Sequence, residues 1–252
     1  MRGAHSMVER GWLDGADYFL CGHLGTSLEE TGAVAATTAG FLSSTNAVAR
    51  FIGRAAHAGG APNEGKNALL AAATATLNLH AIPRHADGAT RVNVGELNAG
   101  AARNIVPELA IMGFQTRGAT AELNEYMYAE ARRIIDGAAR MQDVECEMEV
   151  VGEGIDADCD PEWPGIVREA CAASSIRVVD EGAVGGSEDA TFMMNRVREG
   201  GGRATYMLFG SPTGGGHHHP RFDFDEAALG VGVETLTRTI EHVVRNGGQD
   251  SS

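Results

Sequence analysis

Ala47-Val48-Ala49-Arg50-Phe51-Ile52 reads as a strand, and it runs into Gly53-Arg54-Ala55-Ala56-His57-Ala58-Gly59-Gly60-Ala61-Pro62, a Gly/Pro loop carrying one imidazole. Beyond the loop, Asn67 to Leu79 is rich in Ala and Leu, with no Gly or Pro, and predicts a helix packed along most of its surface; Pro83 stops it. Two more strand-like runs follow, Thr90 to Leu97 and Asn104 to Gln115, joined by the turn-prone Asn98-Ala99-Gly100. Thr120 opens a second helix, and Val144 to Val151 alternates apolar and acidic residues like a half-exposed strand. The order β-α-β-β-α-β is that of a split βαβ sandwich, predicted here as a four-stranded antiparallel sheet with two helices on one face.

That module interrupts something else. The chain has 252 residues, 43% of them hydrophobic, enough for two moderate domains. The expected division is 1–45 for the first part of an α/β domain, 46–152 for the inserted module and 153–252 for the second part. Before the insertion only one short helix, from Gly3 to Gly11, and one strand, from Asp17 to His23, are evident. After it, Pro164 to Ala173 reads as a helix and Arg177 to Val179 as a strand. Ser187 reads as the N-cap of a helix through Met194, with Glu188 and Asp189 suited to its first turn. Ala204 to Gly210 reads as a buried strand, and Asp225 as the cap of a last helix with Ala228, Val231, Leu236, Ile240 and Val243 inward.

A net charge of −14 excludes a nucleic-acid or anionic-membrane partner on electrostatic grounds. Four scattered Cys, no signal peptide and no long apolar run predict a cytoplasmic protein with reduced thiols. Three consecutive His, His217 to His219, between a strand and a helix start are the strongest local hint of metal. On residue type alone His23, at a strand end, is an ordinary structural histidine, and Arg117 an ordinary exposed arginine.

Four motifs in order change those readings. Arg54-Ala55-Ala56-His57-Ala58 with Pro62, Gly65 and Asn67-Ala68, then Asn104-Ile105-Val106-Pro107, then Ser187-Glu188-Asp189, then His218-His219-Pro220 before Phe222 to Glu226, resemble the M20 family of metallopeptidases and amidohydrolases. The resemblance spans essentially the whole chain. It implies a zinc-peptidase-like catalytic domain interrupted by a lid that also makes the dimer, the lid being the β-α-β-β-α-β module. It implies hydrolysis of the amide bond of an N-acyl amino acid, with p-aminobenzoyl-glutamate the preferred case. His23 and His218 match metal ligands for zinc or manganese and are expected to lie close together. His57 matches a residue that reaches across the dimer to stabilise an oxyanion, and Asn104 and Arg117 match residues that grip the substrate. Family members also carry an upstream His-x-Asp or Cys-x-His motif and a Glu-Glu pair supplying the general base. These are absent, so the chain resembles only the C-terminal portion. The resemblance thus leaves two readings: a homodimeric or hetero-oligomeric amidohydrolase, or a non-catalytic dimerising or binding subunit that is inactive alone.

Overall fold

A computed structural model describes residues 3–25, 27–215 and 219–246. It divides into two compact units, one formed by Leu42–Asp156 and the other by the stretches on either side, through Phe41 and from Ala157.

The Leu42–Asp156 unit contains β3 (Ser43–Ile52), α2 (Ala68–His80), β4 (Thr90–Ala99), β5 (Leu109–Gly118), α3 (Ala121–Met141) and β6 (Glu145–Gly154). Its strands lie in the order β4-β5-β3-β6, every pair antiparallel. Both helices cover one face. There Ala47, Ala49 and Phe51 of β3 and Ala110, Met112 and Phe114 of β5 meet Ala71, Ala75 and Leu79 of α2 and Met127, Ala131 and Ile135 of α3. The strands alternate as a sheet covered on one side must: along β5 the even-numbered residues are buried and the odd-numbered ones half-exposed. Gly118 ends β5 where the first turn of α3 crosses it. A Cβ there would stand 2.3 Å from the Asn124 backbone nitrogen, so only glycine fits. Asn67 caps α2, its Oδ1 accepting from the Leu70 amide at 3.1 Å. The helix buries one side only, against expectation: Leu69, Leu70 and Leu77 are exposed.

The second unit comprises α1 (Gly3–Glu9), β1 (Tyr18–Leu24), β2 (Ala33–Ala39), α4 (Trp163–Ala170), β7 (Arg177–Ala183), α5 (Ala190–Glu199), β8 (Arg203–Phe209) and α6 (Ala227–Asn246). The sheet order is β1-β8-β2-β7, with β1/β8 and β2/β7 parallel and β2/β8 antiparallel. On one face α4 and α6 pack through Trp163, Val167 and Val243 onto Val34, Met207 and Phe209. On the other, Met194 of α5 meets Ala35, Phe41, Ala204 and Leu208. Helices on both faces make a layered α/β core.

Four further expectations need correction. A second strand, β2, precedes the insertion, and its sequence AVAATTA is buried at its first six positions. Bulky β-formers were the cue sought, whereas Ala and Thr suit a strand pressed between two helix layers. The third strand of the inserted module begins at Leu109, because Gly100 to Glu108 is a loop. Helix α5 starts at Ala190, with Asp189 in the N-cap position and no side-chain cap, so Ser187 does not cap it. In α6, Ala228 and Val243 are buried and Val231 and Leu236 pack half-buried against the core as expected, but Ile240 faces outward and Gly232, Thr235 and Thr239 are the other buried positions. Asp225 does cap that helix, Oδ1 accepting from the Ala227 amide at 3.0 Å.

Candidate active site

His57 lies in the loop after β3, and backbone pairing fixes that loop against the one before β5. Arg54 and Lys66 exchange both of their backbone hydrogen bonds, the Val106 amide donates to Ala56 O, and the Ala58 amide donates to Asn104 O at 2.9 Å. Gly53 permits the crossing, since a Cβ there would fall 2.1 Å from Lys66 O. An isolated bridge joins His57 to Ile105. The fold therefore brings His57 and Asn104 together.

The imidazole of His57 has a defined tautomer. Its Nδ1 accepts from the Gly59 and Gly60 amides, at 3.1 and 2.9 Å. A backbone N–H can only donate, so the Nδ1 lone pair is taken and the ring proton sits on Nε2. His57 thus presents Nε2–H as a donor.

Arg117 is elsewhere. It pairs with Ser44 on β3 and Arg91 on β4, whereas His57 follows the far end of β3 beyond Ile52. Eight strand residues at about 3.3 Å each separate Ser44 from Ile52, about 26 Å along the sheet. Within one copy, then, Arg117 and His57 stand at opposite ends of the same sheet. The Arg117 Nε donates to Gln115 Oε1 at 2.7 Å, and Gln115 Nε2 donates to Asn46 Oδ1 at 2.7 Å. All three occupy the helix-free face, beside a shallow concavity of about 280 Å³ lined by Asn46, Asn93, Glu96, Gln115 and Val151. On the other face, Thr116 Oγ1 donates to Asn124 Oδ1, and Asn124 Nδ2 donates to Thr45 Oγ1, both at 2.9 Å. This buried trio holds β3 and β5 in register directly beneath Asn46, Gln115 and Arg117. Sequence reasoning missed Asn46 and Gln115, because recognising two amides as neighbours requires the register of paired strands.

In the second unit, His23 closes β1 beside Leu208 of the parallel β8. Its Nδ1 lies 2.7 Å from Leu24 O. A carbonyl can only accept, so Nδ1 carries the proton and the lone pair is on Nε2, the tautomer in which metal-ligating imidazoles are commonly oriented. Because β1 and β8 are parallel, both strands end on the same side of the sheet. Gly216, His217 and His218 fall outside the described residues. His219 is described, and its Nδ1 accepts from the Arg221 amide at 3.0 Å. Among the described residues, no group of three or more His, Cys, Asp or Glu converges as a metal cluster would.

Cys21, two residues before His23, is a core thiol. It donates to Thr205 O at 3.6 Å, and burial, with Cys159 and Glu188 nearby, pushes its pKa up. Neighbouring Tyr206 is also pushed up, first by burial and then by the Glu188 carboxylate that its hydroxyl meets. Glu188 is therefore turned toward Tyr206 and Cys21.

A model of peptidase family M20/M25/M40 matches residues 1–242. The chain is 44% identical to a p-aminobenzoyl-glutamate hydrolase subunit of Escherichia coli K12, over 94% of this chain and 55% of that protein. It is equally identical to the indole-3-acetyl-aspartic acid hydrolase of Enterobacter agglomerans, again over 94% and 55%. The crystal structure of an aminobenzoyl-glutamate utilization protein from Klebsiella pneumoniae superposes with a TM-score of 0.79 at 41% identity, covering 92% of this chain and 56% of that one. A dinuclear metal-binding M20 peptidase from Bacillus subtilis shares the fold at 19% identity and a TM-score of 0.68, over 96% of this chain and 61% of that one. The chain spans about half the length of the curated relatives it matches. No described helix is long and apolar enough to cross a membrane.

Proposed function

The chain belongs to peptidase family M20/M25/M40, and on that premise we propose that it supplies the lid and part of the metal site of an enzyme cleaving N-acyl acidic amino acids, with p-aminobenzoyl-glutamate preferred. The lid is the Leu42–Asp156 unit. The names of the two relatives support the substrate class, because each is an amide of an acidic amino acid.

The observation that carries the reading is the separation of His57 from Arg117. One substrate of this size cannot touch both ends of a sheet about 26 Å apart. It can touch both if His57 of one copy faces Arg117 of another, and this is the reason we assign a dimer. The exposed Leu69, Leu70 and Leu77 of α2 give the lid an apolar surface suited to such a contact. Each side chain then has a task. Gln115 holds Arg117 through Nε, leaving the terminal nitrogens for bidentate contact with a carboxylate of the glutamate moiety. Asn104 adds a polar grip beside His57. The His57 Nε2–H donates to the carbonyl oxygen as negative charge develops there, a stabilisation strongest in the transition state. His23, in its Nδ1–H form, and His218 are the ligands assigned to a divalent ion, zinc or manganese, which supplies Lewis acidity when bound. The general base and the remaining ligands come from the portion of the enzyme that this chain does not match. Water attack and release of the amine are therefore reactions of the completed assembly.

The test is release of p-aminobenzoate from p-aminobenzoyl-glutamate with zinc or manganese. It is measured on this chain alone and on the chain completed by the unmatched portion of the Escherichia coli relative. We expect turnover from the completed assembly only. In that assembly His57→Ala and Arg117→Ala should each be inactive, and mixing the two after dissociation should restore about a quarter of the activity, as random pairing of a two-fold dimer with shared sites requires. No recovery on mixing would refute the shared site.

A further inference from the structure

On the helix-free face of the Leu42–Asp156 sheet, Gly95 of β4 and Gly113 of β5 bring two positions without side chains into one concavity, the one of about 280 Å³ beside Arg117. Strand β4 is bulged there. Val94 pairs with Phe114 and Glu96 with Gly113, so Gly95 is the extra residue. In register, Gly113 lies between Glu96 of β4 on one side and Val48 of β3 on the other. A Cβ added at Gly113 would stand 3.3 Å from Glu96 Cβ and 3.5 Å from its Oε2, so the bare glycine is what lets this carboxylate lean over the sheet. A Cβ at Gly95 would likewise stand 3.6 Å from Asn93 Nδ2. The concavity thus has a flat backbone floor, an apolar wall and a charged wall.

Its link to Arg117 is a relay. The guanidinium donates to Gln115 and Gln115 to Asn46, both of which line the concavity, so the arginine leans toward it. Gly113 and Arg117 are four residues apart on β5, about 13 Å, and the arginine side chain covers part of that distance. What remains suits a group one aromatic ring long. Glu96 has no cationic partner among the described residues, and a carboxylate accepts hydrogen bonds without donating.

We propose that this concavity is the subsite for the acyl group, taking a flat acyl group with an N–H donor at its far end, and that Glu96 selects for that donor. The proposal rests on the assignment of Arg117 to the amino-acid carboxylate. With that carboxylate on Arg117, the ring lies along β5 over Gly113, against Val48, and its terminal N–H donates to Glu96. The p-aminobenzoyl group has such a donor in its amine. A benzoyl group has none, and a p-carboxybenzoyl group would set a second negative charge against Glu96.

The probes are p-aminobenzoyl-glutamate, benzoyl-glutamate and p-carboxybenzoyl-glutamate, titrated into this chain and followed through backbone amide shifts, a readout that needs no turnover. We expect the amino ligand to shift Gly95 and Gly113 and to bind about fivefold more tightly than the benzoyl ligand, as one charge-assisted hydrogen bond at a half-wet site allows. Glu96→Ala should bring those two ligands to equal affinity. Glu96→Lys should reverse the ranking in favour of the p-carboxybenzoyl ligand, whereas loss of a merely structural side chain would weaken all three alike. Gly113→Val, a change that suits a strand, should weaken every ligand by raising a side chain from the floor. Equal affinity of the amino and benzoyl ligands for the parent chain, a preference that survives Glu96→Ala, or no shift at Gly95 and Gly113 at millimolar ligand would each overturn the subsite. Hydrolysis by the completed assembly is scored separately: selective binding without turnover removes the hydrolase reading alone, and turnover at equal kcat/KM for the amino and benzoyl ligands removes the subsite alone.

Discussion

Asn124 is the residue whose removal should reveal most about the Arg117 end of the Leu42–Asp156 unit. Its carboxamide accepts from Thr116 and donates to Thr45, both at 2.9 Å, and all three side chains are buried. Asn124→Ala deletes both bonds and leaves two hydroxyls without those partners in a site that water does not reach. Each such group costs about 1–3 kcal/mol, while the better helix propensity of Ala offsets about 0.5 kcal/mol, so the net loss for the two is about 1.5–5.5 kcal/mol. Replacing all three polar groups by Thr45→Val, Asn124→Leu and Thr116→Val leaves nothing unsatisfied and should recover most of that loss. Urea unfolding followed by circular dichroism supplies both numbers from the shift in midpoint at constant slope. An Asn124→Ala loss below about 1 kcal/mol, or a triple variant as unstable as the single one, would refute the reasoning. Because Thr45 and Thr116 neighbour Asn46, Gln115 and Arg117 in sequence, the single variant should also loosen the guanidinium that the proposed substrate meets.

Ring-nitrogen chemical shifts of His57 at neutral pH should report the Nε2–H tautomer, and an Nδ1–H signal would remove the oxyanion role. Gly118→Ala should destabilise the Leu42–Asp156 unit by about 3 kcal/mol or more, read by thermal melting, since its Cβ would meet backbone rather than a movable side chain. The Asp225 carboxyl is held below its ordinary range first by the Thr31 hydroxyl and then by the Ala227 amide. A depressed carboxylate stabilises the fold above its unfolded pKa, so this contribution is present above about pH 4 and disappears as pH falls below it. Melting temperatures of Asp225→Asn should accordingly depend less on pH than those of the parent between about pH 3 and 5.

The inserted module was legible because its signals were local. Thr120 caps α3, Asn67 caps α2, and the acid-apolar alternation of β6 marks a sheet with one face in water. Strand β2 was not, because Ala33 to Ala39 suits its place by being thin rather than by β-propensity. The boundary of α5 was missed because a serine followed by two acids resembles a cap, while the acid facing Tyr206 and Cys21 belongs to a tertiary contact. The family resemblance proposed roles for His57 and Asn104, and the pairing of the two loops that carry them is what the structure adds. Spacing could not tell that Arg117 stands at the other end of the sheet, which depends on how far β3 runs between two pairings. The hydrogen bonds that set the tautomers of His23 and His57 depend on loop geometry.

The two ends of the inserted unit are latched. Ser43 Oγ donates to Asp156 Oδ1 at 2.6 Å and accepts from the Asp156 amide at 2.9 Å, and Ser44 sits opposite Gly154 in the β3/β6 pairing. A slack excursion of more than a hundred residues would cost the host fold about 4 kcal/mol in closure entropy. Once β3 and β6 have paired, entrance and exit are neighbours, and the surrounding chain has only a gap the length of a tight turn to close. Order of assembly is thereby built in: the insert can complete itself first and hand over two ends already side by side, so that Leu42–Asp156 expressed alone is expected to fold without its host.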